Sequence, residues 1–401
     1  MNLLIYTNYS RYSNRYVGGA ETSLELIAAK MAELGEHICF ATVSIAGSDR
    51  FGKKNINSED PTFRRKKINN ITVYNLSSSR WPSFEHLNLK QREQFVAYQK
   101  ENFIAEIIES EKIDLAHSYE VDDTCQILKV KERLRLNIKT IQRIAGFFWA
   151  HAINSKLFTR EQVEWVFNSI DAVNFLTLES RELFFQTAEK YNLKLLPKKE
   201  IILDIGINLD LFPYCWKPKT QGTFRIVSVL RFAFYQKRPD LLIRALSKVK
   251  HKDFIVDFIG VGVDLENCKI LCHQLGISDR FIFHGYLDQS SIVQILSQAD
   301  LFVLPSLFEG LPKALLEAMA VGVPCLVSDV MPTNQYIQEG ANGFLAGNTA
   351  EEWADKLDFI YEQRGKFSQV VERAREFVAQ NYDADKNILK YREEFRGLIQ
   401  G

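Results

Sequence analysis

The chain has few cysteines, no excess of charge of either sign and no long apolar run. Among its 401 residues, 50 basic side chains face 50 acidic ones, so the formal net charge is +0. Without a surplus of Lys and Arg, counterion release cannot drive extensive binding to nucleic acid. No apolar run reaches the ~18 residues that a bilayer crossing needs. The composition therefore argues against a nucleic-acid-coating protein and against a membrane-spanning one.

The cysteines and the amino-terminal residues point to the cytoplasm. None of the six cysteines forms a C-x-x-C pair, and although Cys268 and Cys272 lie one helical turn apart, no second pair would complete a zinc site. We expect reduced thiols that pack as small hydrophobic side chains, and no bound metal. The segment Met1–Tyr6 reads as the start of a strand. It shows neither the basic region nor the long apolar region of a signal peptide, so none is predicted.

What the sequence does contain is a repeated alternation of strand and helix. Hydrophobic residues make up 46% and charged residues 25%, as in ordinary globular proteins, and the length suggests two or three domains. In the first block, Leu3–Thr7 reads as a strand and is followed by a glycine loop, a helix and the strand His37–Val43. A second block opens with the strand Phe224–Leu230. This pattern predicts an α/β protein with two doubly wound Rossmann-like lobes that face a central cleft.

The domain boundaries are predicted from turn-forming residues and charge. The stretch Leu211–Gly222 contains Pro213 and Pro218 and reads as a linker. We therefore predict an N-terminal domain over 1–215 and a C-terminal domain over 216–378. A charged helical segment over 379–401 would pack back on the N-terminal domain.

Glu309 and Glu317 flank the predicted start of a helix. Pro312 suits the first helical turn, where its missing N–H removes no hydrogen bond. The positive end of such a helix binds anions through free backbone N–H groups, here those of Gly310, Leu311 and Lys313. The two glutamates would lie at most ~12 Å apart along the axis. A pyrophosphate could therefore lie between two carboxylates that accept hydrogen bonds from sugar hydroxyls.

Two cations are placed to balance that pyrophosphate. Arg231 ends the strand Phe224–Leu230, at the carboxyl edge where such sheets bind ligands. Lys237 follows six residues later in the next loop. Arginine can bind phosphate oxygens in a bidentate manner. Both residues would stabilise charge that grows on a leaving pyrophosphate.

These motifs together resemble the signature of family 4 glycosyltransferases, which have the GT-B fold. The stretch 308–320, Phe-Glu-Gly-Leu-Pro-Lys-Ala-Leu-Leu-Glu-Ala-Met-Ala, contains the family's two glutamates separated by seven residues. The resemblance continues through most of the second lobe, in 259–262, 283–286, 299–306 and 341–345. In the first lobe it covers mainly Gly18-Gly19-Ala20-Glu21.

The resemblance implies roles for individual residues. Arg231 and Lys237 match the pair that binds the donor diphosphate. Glu309 matches the glutamate that faces the donor sugar, and Glu317 the one that binds the ribose. The loop that holds the base corresponds to Gly285, Tyr286 and Leu287, and the glycine loop that lets acceptor and donor phosphate approach corresponds to Gly18 and Gly19.

The family resemblance also implies the reaction. Such enzymes are retaining, need no bound metal and move a sugar from a nucleotide diphosphate sugar, here a UDP- or GDP-sugar. The acceptor would be the hydroxyl of a glycan, a lipid-linked glycan or a small molecule, in cell-surface polysaccharide biosynthesis. The N-terminal domain would bind the acceptor. We expect a cytoplasmic hexosyltransferase, with contact to the inner membrane surface and no nucleic-acid partner.

Some features leave alternatives open. The family's first-lobe histidine is matched only loosely by His151, and His117 is a second candidate; either could be a structural imidazole. A phosphorylase or epimerase on the same fold, or a non-catalytic nucleotide-sugar binder, therefore stays possible. The basic run 64–67 could face an anionic lipid or acceptor, or be a solvated loop.

Overall fold

The computed structural model describes residues 1–8, 10, 12, 19–44, 64–78, 88–144, 153, 158–330 and 333–401. It divides into two compact units. Unit 1 comprises Met1–Ile205 together with Ala384–Gly401, and unit 2 comprises Gly206–Asp383. None of the helices in these ranges has both the length and the apolar character that crossing a bilayer requires.

Unit 1 is built on an eight-stranded sheet with the order β3-β4-β2-β1-β5-β6-β7-β8. All neighbouring strands are parallel except β3, which pairs antiparallel with β4. The strands are β1 (Asn2–Thr7), β2 (His37–Ser44), β3 (Arg65–Ile68), β4 (Ile71–Ser77), β5 (Leu115–Ser118), β6 (Lys139–Ile144), β7 (Ala172–Phe175) and β8 (Glu200–Ile202).

Helices cover both faces of this sheet. They are α1 (Gly19–Glu33), α2 (Leu89–Ser110), α3 (Val121–Leu134), α4 (Arg160–Ser169), α5 (Leu178–Lys190) and, from the end of the chain, α13 (Ala384–Gln400). On one face, α1 and α13 share a buried apolar cluster with the strands, and on the other α2 and α3 do so. The central strands are consequently buried on both sides, as parallel sheets require.

Unit 2 repeats the architecture with six parallel strands in the order β11-β10-β9-β12-β13-β14. The strands are β9 (Phe224–Val229), β10 (Phe254–Ile259), β11 (Phe281–Gly285), β12 (Leu301–Leu304), β13 (Cys325–Ser328) and β14 (Phe344–Ala346). The helices are α6 (Pro239–Lys248), α7 (Leu265–Gln274), α8 (Gln289–Ser297), α9 (Lys313–Val321), α10 (Thr333–Tyr336), α11 (Ala350–Glu362) and α12 (Ser368–Asn381). The predicted α/β class with two Rossmann-like units is confirmed.

The predicted linker belongs to the body of unit 2. Phe212 and Trp216 are buried in its core, and the Trp216 Nε1–H donates to the Ala299 carbonyl at 3.0 Å. The first boundary therefore lies at Ile205/Gly206 and not at 215/216, because aromatic burial outweighs the two prolines. The second lies at Asp383/Ala384 and not at 378/379, since α12 packs wholly within unit 2.

The basic run 64–67 is neither a loop nor an unpaired patch. Most of it forms β3, an exposed edge strand. Arg64 pairs with Glu106, and Arg65 pairs with Glu111 at 2.9 Å. Lysine and arginine on an edge strand discourage pairing with other chains, which is a structural use for this charge.

Candidate functional site

Arg231 is held where the pairing of β9 and β10 continues beyond both strands. The Leu230 N–H donates to the Ile259 carbonyl at 3.0 Å, and the Phe232 N–H donates to the Val261 carbonyl at 3.1 Å. Gly260 allows this approach, because a Cβ there would lie 1.9 Å from the Leu230 carbonyl oxygen. The backbone on either side of Arg231 is therefore fixed at the carboxyl edge of the sheet.

The Arg231 side chain is tied to the loop after β12 through Gln236. Its Nη2 donates to Gln236 Oε1 at 2.6 Å, and the Gln236 backbone carbonyl accepts from the Leu307 N–H at 2.7 Å. Gln236 is buried. The loops that follow β9 and β12 are thus joined by one glutamine.

Lys237 and Glu309 form a direct ion pair next to that junction. The Lys237 Nζ lies 2.5 Å from Oε1 and 2.6 Å from Oε2 of Glu309, and the Ser306 hydroxyl donates to Oε1 at 2.6 Å. The Glu309 side chain is only 4% exposed, against 19% for Lys237. A ligand that carries both anionic oxygens and hydroxyl hydrogens can satisfy both members of the pair.

The start of α9 supplies fewer N–H donors than the sequence predicts. The helix begins at Lys313, whose N–H already donates to the Leu311 carbonyl at 2.9 Å. Within the ranges that the structure covers, the N–H groups of Gly310 and Leu311 have no hydrogen-bond partner. Two of the three predicted donors therefore remain available to an anion.

Glu317 is the fifth residue of α9 and is partly buried. Burial raises the pKa of its carboxyl to about 7, against a smaller lowering by the nearby Lys313 ammonium. Near neutral pH the side chain can therefore exchange its proton, and hydroxyl donors from a ligand would favour its charged form.

The predicted base-binding loop follows β11. Gly285 has a φ of 70°, and its carbonyl accepts from the Gly260 N–H at 2.7 Å. Tyr286 is 40% exposed, and Leu287 packs on the unit 2 core. This places an accessible aromatic ring directly after β11, the strand next but one to β9, which precedes Arg231.

The structure says less about the site residues that were predicted in unit 1. Gly18 and His151 lie outside the described residues, and Gly19 is the first residue of α1. His117 is fully buried, and its ring packs edge-on against Phe395. Among the residues that the structure describes, neither ring nitrogen has a hydrogen-bond partner. Burial lowers the pKa of His117 to about 3, so the imidazole is neutral. In this structure His117 is an interior residue of unit 1.

Sequence reasoning did not single out Gln236 and Ser306. Each is a polar residue next to a predicted charged one: Gln236 precedes Lys237, and Ser306 lies three residues before Glu309. That proximity was the available signal, but only the fold shows that these side chains contact Arg231 and Glu309.

Comparison with solved structures identifies the fold. A sucrose-phosphate synthase from Thermosynechococcus elongatus superimposes with a TM-score of 0.75 and 15% identity over 100% of this chain and 99% of its own. Anabaena HepE, solved with UDP and glucose, gives 0.71 and 15% over 99% and 100%. The chain has the GT-B fold.

The second unit also matches a sequence family. Residues 216–377 match the family model for glycosyl transferases group 1. The lipopolysaccharide 1,6-galactosyltransferase of Salmonella typhimurium is 37% identical over 129 residues, 31% of this chain and 35% of that protein. An Escherichia coli UDP-Gal:alpha-D-GlcNAc-diphosphoundecaprenol alpha-1,3-galactosyltransferase is 30% identical over 37% of this chain and 41% of its own length. These matches therefore span less than half of the relatives.

Proposed function

We propose that this protein is a family 4 glycosyltransferase that transfers a hexose from a nucleotide diphosphate sugar to a hydroxyl group, with retention of configuration and without a metal ion in the reaction. The observation that carries the proposal is the ion pair of Lys237 with the buried Glu309, beside Arg231 and at the carboxyl ends of β9 and β12. The family match over residues 216–377 supports it.

The donor diphosphate would bind to Arg231, Lys237 and the free N–H groups of Gly310 and Leu311. In this arrangement Lys237 exchanges part of its contact with Glu309 for phosphate oxygens. Glu309 then accepts a hydrogen bond from a hydroxyl of the donor sugar, and Glu317 accepts hydrogen bonds from the ribose hydroxyls. Tyr286 and its neighbours would hold the base, which we expect to be uracil or guanine.

The chemistry then depends on charge that develops at the diphosphate. As the bond between the sugar and the phosphate oxygen breaks, negative charge grows next to Arg231 and Lys237. Fixed donors aimed at such charge are typically worth about 3–4 kcal/mol each. The acceptor hydroxyl attacks from the face that the diphosphate leaves, and a phosphate oxygen takes the hydroxyl proton.

The acceptor would be a glycan, a lipid-linked glycan or a small molecule, bound mainly by unit 1. Relatives named for lipopolysaccharide and for a diphosphoundecaprenol-linked sugar support a role in cell-surface polysaccharide biosynthesis. A protein that transfers sugars to such acceptors would act in the cytoplasm, in contact with the inner membrane surface.

The experiment combines a panel of UDP- and GDP-sugars with glycan and lipid-linked acceptors. Release of nucleoside diphosphate that requires the acceptor, together with NMR of the new linkage, would identify transfer and its stereochemistry. Unchanged rates in EDTA would support metal independence. Donor binding without turnover across the panel would favour a non-catalytic binder. An inverted anomeric centre would contradict the retaining mechanism.

A further inference from the structure

A second cluster of reactive side chains lies in unit 1. His37 is the first residue of β2, Cys39 is two residues further, and Glu111 directly follows α2. Residues two apart on a strand face the same side. One ligand atom from each of the three residues lies within 4.8 Å of the others. The cluster is at the amino ends of the strands, whereas ligands of such sheets bind at the carboxyl ends.

The separations suit a small tetrahedral metal ion. The Cys39 Sγ lies 3.6 Å from the His37 Nε2, and that nitrogen lies 2.8 Å from the Glu111 Oε2. With metal–ligand bonds of ~2.0–2.3 Å, the ligand atoms of a tetrahedral site lie ~3.3–3.8 Å apart. The thiol and imidazole already have this spacing, and the carboxylate needs only a small shift.

The two oxygens of Glu111 have different partners. Oε1 accepts hydrogen bonds from the Tyr74 hydroxyl and from Arg65 Nη2, the latter at 2.9 Å. Oε2 faces His37. Groups that bind the second oxygen of a ligating carboxylate fix its orientation in metal sites. Tyr74 and Arg65 would therefore hold Oε2 towards the metal.

We propose that Cys39 Sγ, His37 Nε2 and Glu111 Oε2 bind one Zn²⁺ ion. A thiolate, an imidazole and a carboxylate form a ligand set that favours zinc over Mg²⁺ or Ca²⁺, which prefer oxygen alone. The His37 side chain is 43% exposed, so solvent can reach the site and supply a fourth ligand. The sequence did not predict this site, because β3, β4 and α2 lie between Cys39 and Glu111 along the chain.

The ion would stabilise unit 1 and take no part in transfer. It would link the end of α2 to β2 and, through Arg65 and Tyr74, to the edge strand β3 and its neighbour β4. The proposal does not depend on the proposed enzymatic function, because no residue of the candidate functional site belongs to this cluster.

The test measures metal binding to the full chain after treatment with a chelator. Equilibrium dialysis followed by elemental analysis should find one zinc per chain in the wild type and in Cys125→Ser, a control at another buried thiol. Zinc affinity should fall at least about 10-fold in His37→Asn and Cys39→Ser. Zinc should also raise the melting temperature of the wild type by about 2–4 °C or more, and not that of His37→Asn.

Cobalt substitution gives an independent readout. Co²⁺ bound in the wild type should show a thiolate-to-metal absorption band that is lost in Cys39→Ser. If Cys39→Ser does not fold, His37→Asn decides the question, because His37 is at the surface. Zinc uptake by His37→Asn equal to that of the wild type, or a cobalt complex without the thiolate band, would overturn the proposal.

Discussion

Each unit holds a charged pair next to its sheet, but the two pairs differ in position and in exposure to solvent. In unit 2, Lys237 and Glu309 meet at the carboxyl ends of the strands, with the lysine partly exposed. In unit 1, Arg143 donates to Asp204 at 2.6 Å and to the Tyr391 hydroxyl at 2.7 Å, and both members of this charged pair are sealed from solvent. The unit 2 pair is thus partly open to solvent, whereas the unit 1 pair is sealed and contacts Tyr391 of the last helix.

The largest expected effect is on turnover through the unit 2 pair. Lys237→Ala and Glu309→Ala should each lower kcat/KM for transfer by about 100-fold or more, because donors to the diphosphate and the sugar are lost. Lys248→Ala is the matched control: Lys248 pairs with Glu351 at 3.0 Å on the surface and should keep its activity. Wild-type rates in either site variant, with the fold intact by circular dichroism, would contradict the assigned roles.

The unit 1 pair should affect stability instead. Arg143→Met leaves Asp204 buried without its cation, which typically costs about 3–5 kcal/mol. The free energy of unfolding from urea titrations measures this loss. Changing both partners, Arg143→Met with Asp204→Leu, should restore part of it, since no unpaired charge then remains. Equal stability of the single variant and the wild type would show that the pair is not sealed in solution.

The sequence predicted much of unit 2 and less of unit 1. Strands such as Phe254–Ile259 are apolar at every position but Asp257, and the glutamates around Pro312 have a distinctive spacing, so both could be read directly. Strands β3, β8 and β14 were missed, because they are only three or four residues long and, in β3, charged. The Arg143–Asp204 contact joins residues 61 apart, and no local pattern encodes it.

His117 gives the next test, through acid stability of unit 1. Burial lowers its pKa to about 3 in the folded state, against 6.5 when exposed. The unfolded chain therefore gains a proton first, so stability from this group is complete above pH 6.5 and is lost as the pH falls towards 3. At pH 5 this group lowers the free energy of unfolding by about 2 kcal/mol.

His117→Leu should remove that part of the pH dependence. Its free energy of unfolding, relative to the wild type, should improve between pH 7 and pH 5, as measured by denaturant titration at each pH. A histidine that contacts a ligand would instead change KM when replaced. Parallel pH profiles for the two proteins would show that His117 is not buried in solution.

The smallest expected effect concerns Glu317, where function and stability oppose each other. Its pKa is raised to about 7 from 4.5, so the folded state favours the protonated form. Stability is therefore greatest below pH 4.5 and falls as the pH rises to 7.

Glu317→Gln should stabilise the protein by about 1 kcal/mol at pH 8 and have little effect at pH 4. Its KM for the donor should nevertheless rise about 10-fold, because the ribose loses a charged acceptor. Thermal unfolding at both pH values and donor titrations check the two halves. A variant that loses stability at pH 8 would show that the carboxylate is satisfied by the protein itself, and Glu317 would then resemble the structural pair of unit 1 rather than a ligand-binding group.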